Sequence, residues 1–278
     1  MPEDKKNEEE YELEPRRRIA RLEVVDDPRQ EMPADHYNKQ KENDMIKDKD
    51  VKKGPRSMVV TIINNMPFIQ TAFFESATSL LFETSKTTQL AWMNAKTFPV
   101  DFARNWAVKR FLNNKKYETI EWMGWLDIDM TFPKNGFNIM LDAAEETGAK
   151  VMTGIYFKKN MERNEIVTWK YDHLNRVVEP CLDGTVQEIE IMGMGFCIIH
   201  RSVLEKIGYP WFKYGPLHED LTLLSTEDIQ FCERCKEEGI KIWAHTGVIC
   251  GHLMTIENIN NQISVVSPTN EPIKGRLA

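Results

Sequence analysis

Residues Trp122 to Pro133 read WMGWLDIDMTFP, an apolar run that ends in two aspartates separated by one residue. In an extended strand side chains alternate between faces, so Asp127 and Asp129 are expected on one side while Ile128 points back into the protein. Two carboxylates then share one small volume. Like charges at close range raise each other's pKa, and the arrangement is costly unless something positive lies between them. A hard divalent cation is the usual remedy: Mg2+ or Mn2+ takes oxygen ligands, is held by one or two protein carboxylates, and completes its shell with substrate phosphates and water. The alternative for the same tripeptide is a pair of solvated residues where a strand enters a turn.

Upstream of this stretch, MVVTIIN (58 to 64) is a β-branched run suited to a buried strand, and Asn64-Asn65-Met66-Pro67 stops it. The pattern predicts a helix over Ile69 to Phe82, a strand at Leu90 to Met93 and a helix from Asp101 to Leu112. Downstream it predicts a helix over Gly136 to Thr147, ended by Gly148, and a strand at Val151 to Thr153. Strand and helix alternating in this way predict an α/β fold, with a mostly parallel sheet covered on both faces. Ligands bind such sheets at the carboxyl ends of the strands, where Asp127 and Asp129 lie.

Residues 155 to 190 read as hairpin and loop, with turn signals at Asn175-Arg176 and Asp183-Gly184. IMGMGFCIIH (191 to 200) is a Gly-rich turn running into a strand. A short helix follows from Ser202 to Ile207, then an aromatic loop, Tyr209 to Phe212. A helix opened by Ser225-Thr226-Glu227-Asp228 ends at Gly239, and Ile240 to His245 form a last strand leading to Cys250-Gly251-His252.

Residues 1 to 56 are a mixed-charge segment with few large apolar residues, expected to be mostly disordered. Arg16, Arg17 and Arg18 lie within it, flanked by acidic blocks that favour a solvated tail over a nucleic-acid contact. Residues 57 to 259 form the expected domain, and 260 to 278 a polar, loosely held tail. The chain has 278 residues, 41% of them hydrophobic, with 7 Trp and 13 Phe, which is the composition of a folded globule with a substantial core. No apolar run approaches the roughly 20 residues that span a bilayer, and the amino terminus lacks a hydrophobic signal region. A cytoplasmic, soluble, intracellular protein is therefore expected. The five cysteines fit reduced thiols better than a disulfide framework, and the net charge of -7 argues against a generally nucleic-acid-coating surface.

Several further residues carry chemistry by type and position. Glu227 and Asp228 open a helix, where acids are favoured by the dipole and Ser225 with Asp228 resembles a capping box. A carboxylate held ionised there is also suited to act as general base toward an acceptor hydroxyl. His252 follows a glycine that permits close approach of the chain to a ligand, and imidazole serves as a metal ligand, a phosphate contact or a structural hydrogen-bonding group. Gly193-Met194-Gly195 is too short for a dinucleotide fingerprint, and close backbone approach to a sugar or phosphate is its better functional reading. Cys232, Cys235, Cys250 and His252 form a nominal zinc set, but Cys232 and Cys235 fall on the apolar face of a helix, where cysteine acts as a small hydrophobe. Arg104, beside Asn105, is either an exposed helical arginine or a cation facing a diphosphate.

Taken in order, the β-branched first strand, DFARNWAV, WLDIDMTFP, VMTGIYF, MGMGFCIIHRSVLEKIG, PWF, STEDIQFCERCKEEGIKIW and CGH resemble glycosyltransferases of the GT-A fold, in particular the family 2 type. The similarity covers roughly residues 57 to 255. It implies a Rossmann-like, mostly parallel sheet with a smaller mixed subsheet on the acceptor side. It implies that Asp127 and Asp129 form a DxD motif, with Asp129 the direct metal ligand and Asp127 nearer the ribose or a metal-bound water. His252 then completes the metal or diphosphate site, and Asp228 of the Glu227-Asp228 pair is the base of an inverting reaction. The nucleotide-sugar site further takes in Ile63, Asn64, Asn65, Arg104, Ile128, Gly193 and Gly195. Trp211 and Phe212 lie on the acceptor side, and Trp243 is a further aromatic face for a sugar. A second acidic pair, Glu219-Asp220, makes the assignment of Asp228 depend on its helix-opening position.

The expected activity is metal-dependent transfer of a sugar from a nucleotide-diphosphate sugar to an acceptor hydroxyl, with Mn2+ or Mg2+ as cofactor. UDP-sugars are the commonest donors of the family it resembles. The acceptor stays open among a glycan, a protein, a metabolite and a modified DNA base. The alternatives are a nucleotidyltransferase on a similar sheet and a nucleotide-sugar-binding protein without turnover.

Overall fold

MVVTII is buried at every position, and it forms the last six residues of β1 (Arg56–Ile63), a strand packed on both faces. Val59 and Ile63 face one layer of the core, while Met58, Val60 and Ile62 face the other. The structure, a computed structural model, describes residues 56–64, 69–96, 99–159, 165–216 and 225–253, and the backbone of 262–266 and 272–276. All of these belong to the second of two compact units, Asp50–Ala278. The charged segment with Arg16 to Arg18, Asn65, and the Glu219-Asp220 pair lie outside the described residues.

After β1 come α1 (Thr71–Thr84), β2 (Thr88–Ala95), α2 (Val100–Asn113), a 3-10 turn (Lys115–Tyr117) and β3 (Trp122–Asp127). The chain continues through β4 (Met130–Thr131), α3 (Gly136–Thr147), β5 (Val151–Ile155), β6 (Thr168–Tyr171), β7 (Val177–Val178), β8 (Val186–Ile189), β9 (Ile191–Met192) and β10 (Phe196–His200). It then forms α4 (Arg201–Ile207), α5 (Glu227–Glu237), β11 (Ile242–Ile249) and β12 (Gly251–His252). The segment expected as a loose tail contains β13 (Gln262–Val266) and β14 (Pro272–Arg276), which pair with each other.

Seven strands make the central sheet in the order β2-β1-β3-β10-β5-β11-β8. β2, β1 and β3 run parallel, as do β5 and β11, while β10 and β8 run against their neighbours. The fold is thus α/β with a mostly parallel sheet, and β6, β7 and β9 form a separate antiparallel sheet. α1 and α3 cover one face through Phe73, Leu80, Phe137 and Met140. α2, α4 and α5 cover the other through Phe111, Leu204 and Phe231. At Gly124 of β3 the fit is so close that a Cβ would stand 2.9 Å from the Phe137 ring. No helix among the described residues is long and apolar enough to cross a membrane.

The sheet fans from β1: the chain goes first to β2 on one side and then crosses to β3 on the other. Ligands bind α/β sheets in the crevice beyond the carboxyl ends at such a reversal. Asp127 is the last residue of β3, paired in register with Ile63 at the end of β1.

Candidate functional site

β3 stops at Asp127, and Ile128 and Asp129 form a turn before β4. The expected straight strand carrying both aspartates on one face is therefore replaced by a strand end and a turn. β4 pairs antiparallel with β12, placing His252 opposite Met130, and the Leu253 N–H donates to the Asp129 carbonyl at 2.6 Å. Backbone pairing alone thus brings His252 beside Asp129.

Asp127 turns inward. Its Oδ2 accepts from Arg104 Nη2 at 3.0 Å, and its Oδ1 is buried without a hydrogen-bond partner among the described residues. Arg104 is 3% exposed, so it is the buried cation of the site and not an exposed helical residue. Its Nε donates to Glu227 Oε1 at 3.3 Å, and its guanidinium stands 5.6 Å from the Trp125 ring. Burial pushes the Asp127 carboxyl up; Arg104 opposes this, and the nearby charge of Asp129 adds to it. Glu227 is raised for the same leading reason, its burial, against the pull of Arg104. Burial opposes the charge on Arg104, but its two carboxylates prevail and raise its pKa.

Asp129 turns outward. Its Oδ2 lies 2.5 Å from Lys159 Nζ and 3.6 Å from His252 Nε2. Burial pushes this carboxyl up, but the hydrogen bonds to His252 and Lys159 and the lysine charge outweigh it and hold Asp129 well below the usual carboxylate range. His252 Nδ1 stands 2.8 Å from the Phe157 carbonyl. A carbonyl only accepts, so Nδ1 carries a hydrogen and Nε2 is the nitrogen turned toward Asp129. Tyr156 packs its ring edge-on to His252 with centroids 5.5 Å apart, and its hydroxyl accepts from the Gly195 N–H at 3.1 Å.

These groups border a cavity of about 390 Å³ walled by Asp127, Asp129, His252, Asp228, Lys158 and Lys159, with Tyr156 and Gly195 also in its lining. Asp228 enters from the first turn of α5 and Glu227 points away to Arg104, so the two acids of this pair have different surroundings. The expected capping box is absent: Asp228 Oδ1 accepts from the Thr226 hydroxyl and the Ile229 N–H. A second cavity of about 370 Å³, at the amino ends of β5 and β11, is lined by Lys150, Lys206, Lys241 and Trp243. Trp243 thus belongs to the other end of the sheet from the aspartates.

Other expected residues fall elsewhere. Trp211 and Phe212 are 1% exposed and belong to the core, not to an acceptor face. Phe212 stacks on Phe231 with centroids 5.0 Å apart, and Asn105 Oδ1 accepts from the backbone N–H groups of Trp211 and Phe212 at 3.0 and 3.1 Å. Gly193 is packed against Tyr156, where a Cβ would stand 2.0 Å from the hydroxyl oxygen. Ile63 and Ile128 are buried, and the Asn64 N–H donates to the Ala95 carbonyl at 3.0 Å. Cys232 and Cys235 are buried in the core beside Phe231, and burial pushes the Cys235 thiol up to about 12.

Lys158, Lys159 and Tyr156 were not among the expected site residues. Their signal was IYFKKN, two lysines just past the carboxyl end of a strand that belongs to the same parallel set as β3.

Among the described residues no group of three or more His, Cys, Asp and Glu side chains is placed to hold one metal ion. Each aspartate has a side-chain cation beside it, Arg104 for Asp127 and Lys159 for Asp129. A magnesium-type shell needs one or two protein groups, with the rest from phosphate and water. Asp129 and the Nε2 of His252 fit that smaller demand.

No family model matches the chain, and no curated protein does. Solved structures do match. One is the crystal structure of A197 from STIV, similar over 79% of this chain and 93% of that chain with a TM-score of 0.52 and 19% sequence identity. At that identity the likeness shows a shared α/β architecture, with helices around a mostly parallel central sheet.

Proposed function

We propose that the chain is a glycosyltransferase of the GT-A type, moving a sugar from a nucleotide-diphosphate sugar to an acceptor hydroxyl with inversion. The observation that carries this reading is the meeting of Asp129, His252 and Asp228 in one cavity at the carboxyl end of β3. Asp129 and His252 would hold a divalent ion, Mn2+ or Mg2+, whose charge assists departure of the diphosphate when bound. Lys158 and Lys159 supply further positive charge on the same wall, suited to phosphate oxygens.

Asp228 is the acceptor-side base. Its Oδ1 accepts from the Thr226 hydroxyl and the Ile229 N–H, and among the described residues Oδ2 has no such donor and is left for a hydroxyl proton. Arg104 keeps Asp127 and Glu227 in place from within the core. UDP-sugars are the first donors to test, and the acceptor class is left to a screen of glycans, proteins, metabolites and modified DNA.

Asp129→Ala tests the reading. Sugar transfer and donor hydrolysis should fall by about two to three orders of magnitude while the fold, read by circular dichroism, stays intact. Retained turnover would overturn the assignment. Product analysis separates the reaction classes: release of nucleoside diphosphate fits transfer of the sugar, and release of pyrophosphate assigns the cavity to nucleotidyl transfer. Donor binding without consumption across the acceptor screen makes the protein a nucleotide-sugar binder.

A further inference from the structure

The two adjacent lysines of the cavity have different partners. Lys158 Nζ pairs with Glu165, ahead of β6, at 3.0 Å and lies 5.9 Å from the ring of Trp169 in β6. Lys159 instead reaches across to Asp129 Oδ2 at 2.5 Å. The charges of the cavity wall are three carboxylates, Asp127, Asp129 and Asp228, and two lysines, with Arg104 behind Asp127. With Lys159 on Asp129 and Arg104 on Asp127, both members of the DxD pair are already neutralised by the chain itself.

A divalent ion bound at about 2.0–2.2 Å from Asp129 leaves no room for an ammonium on the same oxygen, and the two cations repel. Metal and Lys159 therefore compete for one carboxylate. The lysine has somewhere else to go, because its stem is a flexible four-carbon chain and its side chain is 39% exposed.

Resting on the transferase reading, we propose that Lys159 is a tethered counter-ion exchanged between Asp129 and the donor. It neutralises Asp129 before binding; when donor and divalent ion enter together, the ion takes the carboxylate and the ammonium passes to the diphosphate. The exchange makes metal and donor bind as a unit, since the metal alone must displace Lys159 into water, with no diphosphate to receive it. Lys159 is thus a positioning residue for metal and a direct contact for the diphosphate.

The test is a titration of Mn2+ followed by electron paramagnetic resonance, without and with UDP, on the wild-type chain, Lys159→Met, Lys159→Arg and Asp129→Asn. Lys159→Met should bind Mn2+ alone about two- to fivefold more tightly, the strength of a partly exposed ion pair. It should bind UDP in the presence of Mn2+ several-fold more weakly, so the two readouts move in opposite directions. Lys159→Arg keeps the charge and should stay near wild type in both. If Asp129→Asn abolishes Mn2+ binding while Lys159→Met leaves it unchanged or weaker, the exchange is overturned and the metal site stands. If none of the proteins binds Mn2+ with or without UDP, the exchange and the metal part of the transferase reading fall together.

Discussion

Arg104 lies 3% exposed between two carboxylates, so its contribution is first to stability. Arg104→Met keeps the volume and removes the charge, leaving Asp127 and Glu227 buried with no counter-ion. A loss of about 3–5 kcal/mol is expected by urea denaturation at neutral pH. Both carboxyls are already raised by burial, and losing the guanidinium raises them further. A carboxyl whose folded pKa lies above its unfolded value costs stability while ionised and recovers it once protonated. The deficit of the variant should therefore narrow as pH falls from 7 toward about 5; a deficit independent of pH would sink this account. The need for a positive charge between the aspartates was legible in the sequence, but a divalent ion was expected to supply it, and Arg104 was expected as an exposed helical residue or a cation facing a diphosphate. Its burial was legible too, though missed: Arg104, Ala107, Val108 and Phe111 fall on one helical face, and all are buried. Two lysines past the end of a strand were a readable signal, but the pairing of Lys159 with Asp129 was not, because residues 30 apart meet only in the folded chain.

At the scale of elements, the alternation of strands and helices was readable because buried parallel strands are apolar throughout and helices repeat every three to four residues. The ends were less so. β3 ends at Asp127, before the second aspartate, and β11 runs on to Ile249, well past His245. The order of strands in the sheet, with β10 between β3 and β5, depends on pairing between distant residues that local pattern does not encode. Trp211 and Phe212 follow the same logic: a loop sequence became core because Asn105 of α2 binds its backbone. Gly193 joins two elements through the Tyr156 hydroxyl, so Gly193→Ala must displace a side chain that also packs on His252. It should cost about 1–3 kcal/mol, and Gly193→Ala with Tyr156→Phe should recover part of that loss by opening space. Equal thermal denaturation of the single and double variants would contradict this packing account.

For the whole molecule, a ligand that binds only the folded chain adds stability by mass action. A UDP-sugar with Mn2+ at about 100 times its dissociation constant should add about 2.7 kcal/mol. Thermal-shift measurement checks this, and the shift should vanish in Asp129→Ala. Nucleotide sugars that give no shift at any concentration, with or without Mn2+, would remove the donor from the reading. The backbone ladder between β4 and β12 has a consequence for how the chain is made. Asp129 and His252 are neighbours through that ladder, yet one comes near the middle of the chain and the other follows its last long strand. During synthesis both aspartates and Arg104 emerge well before the imidazole. Contacts of such wide sequence separation form late because the chain between them must first be ordered. Asp127, Asp129 and Arg104 are therefore present in the growing chain before Asp228 and His252, and a ribosome-bound chain halted after α5 has no His252 to complete the cavity.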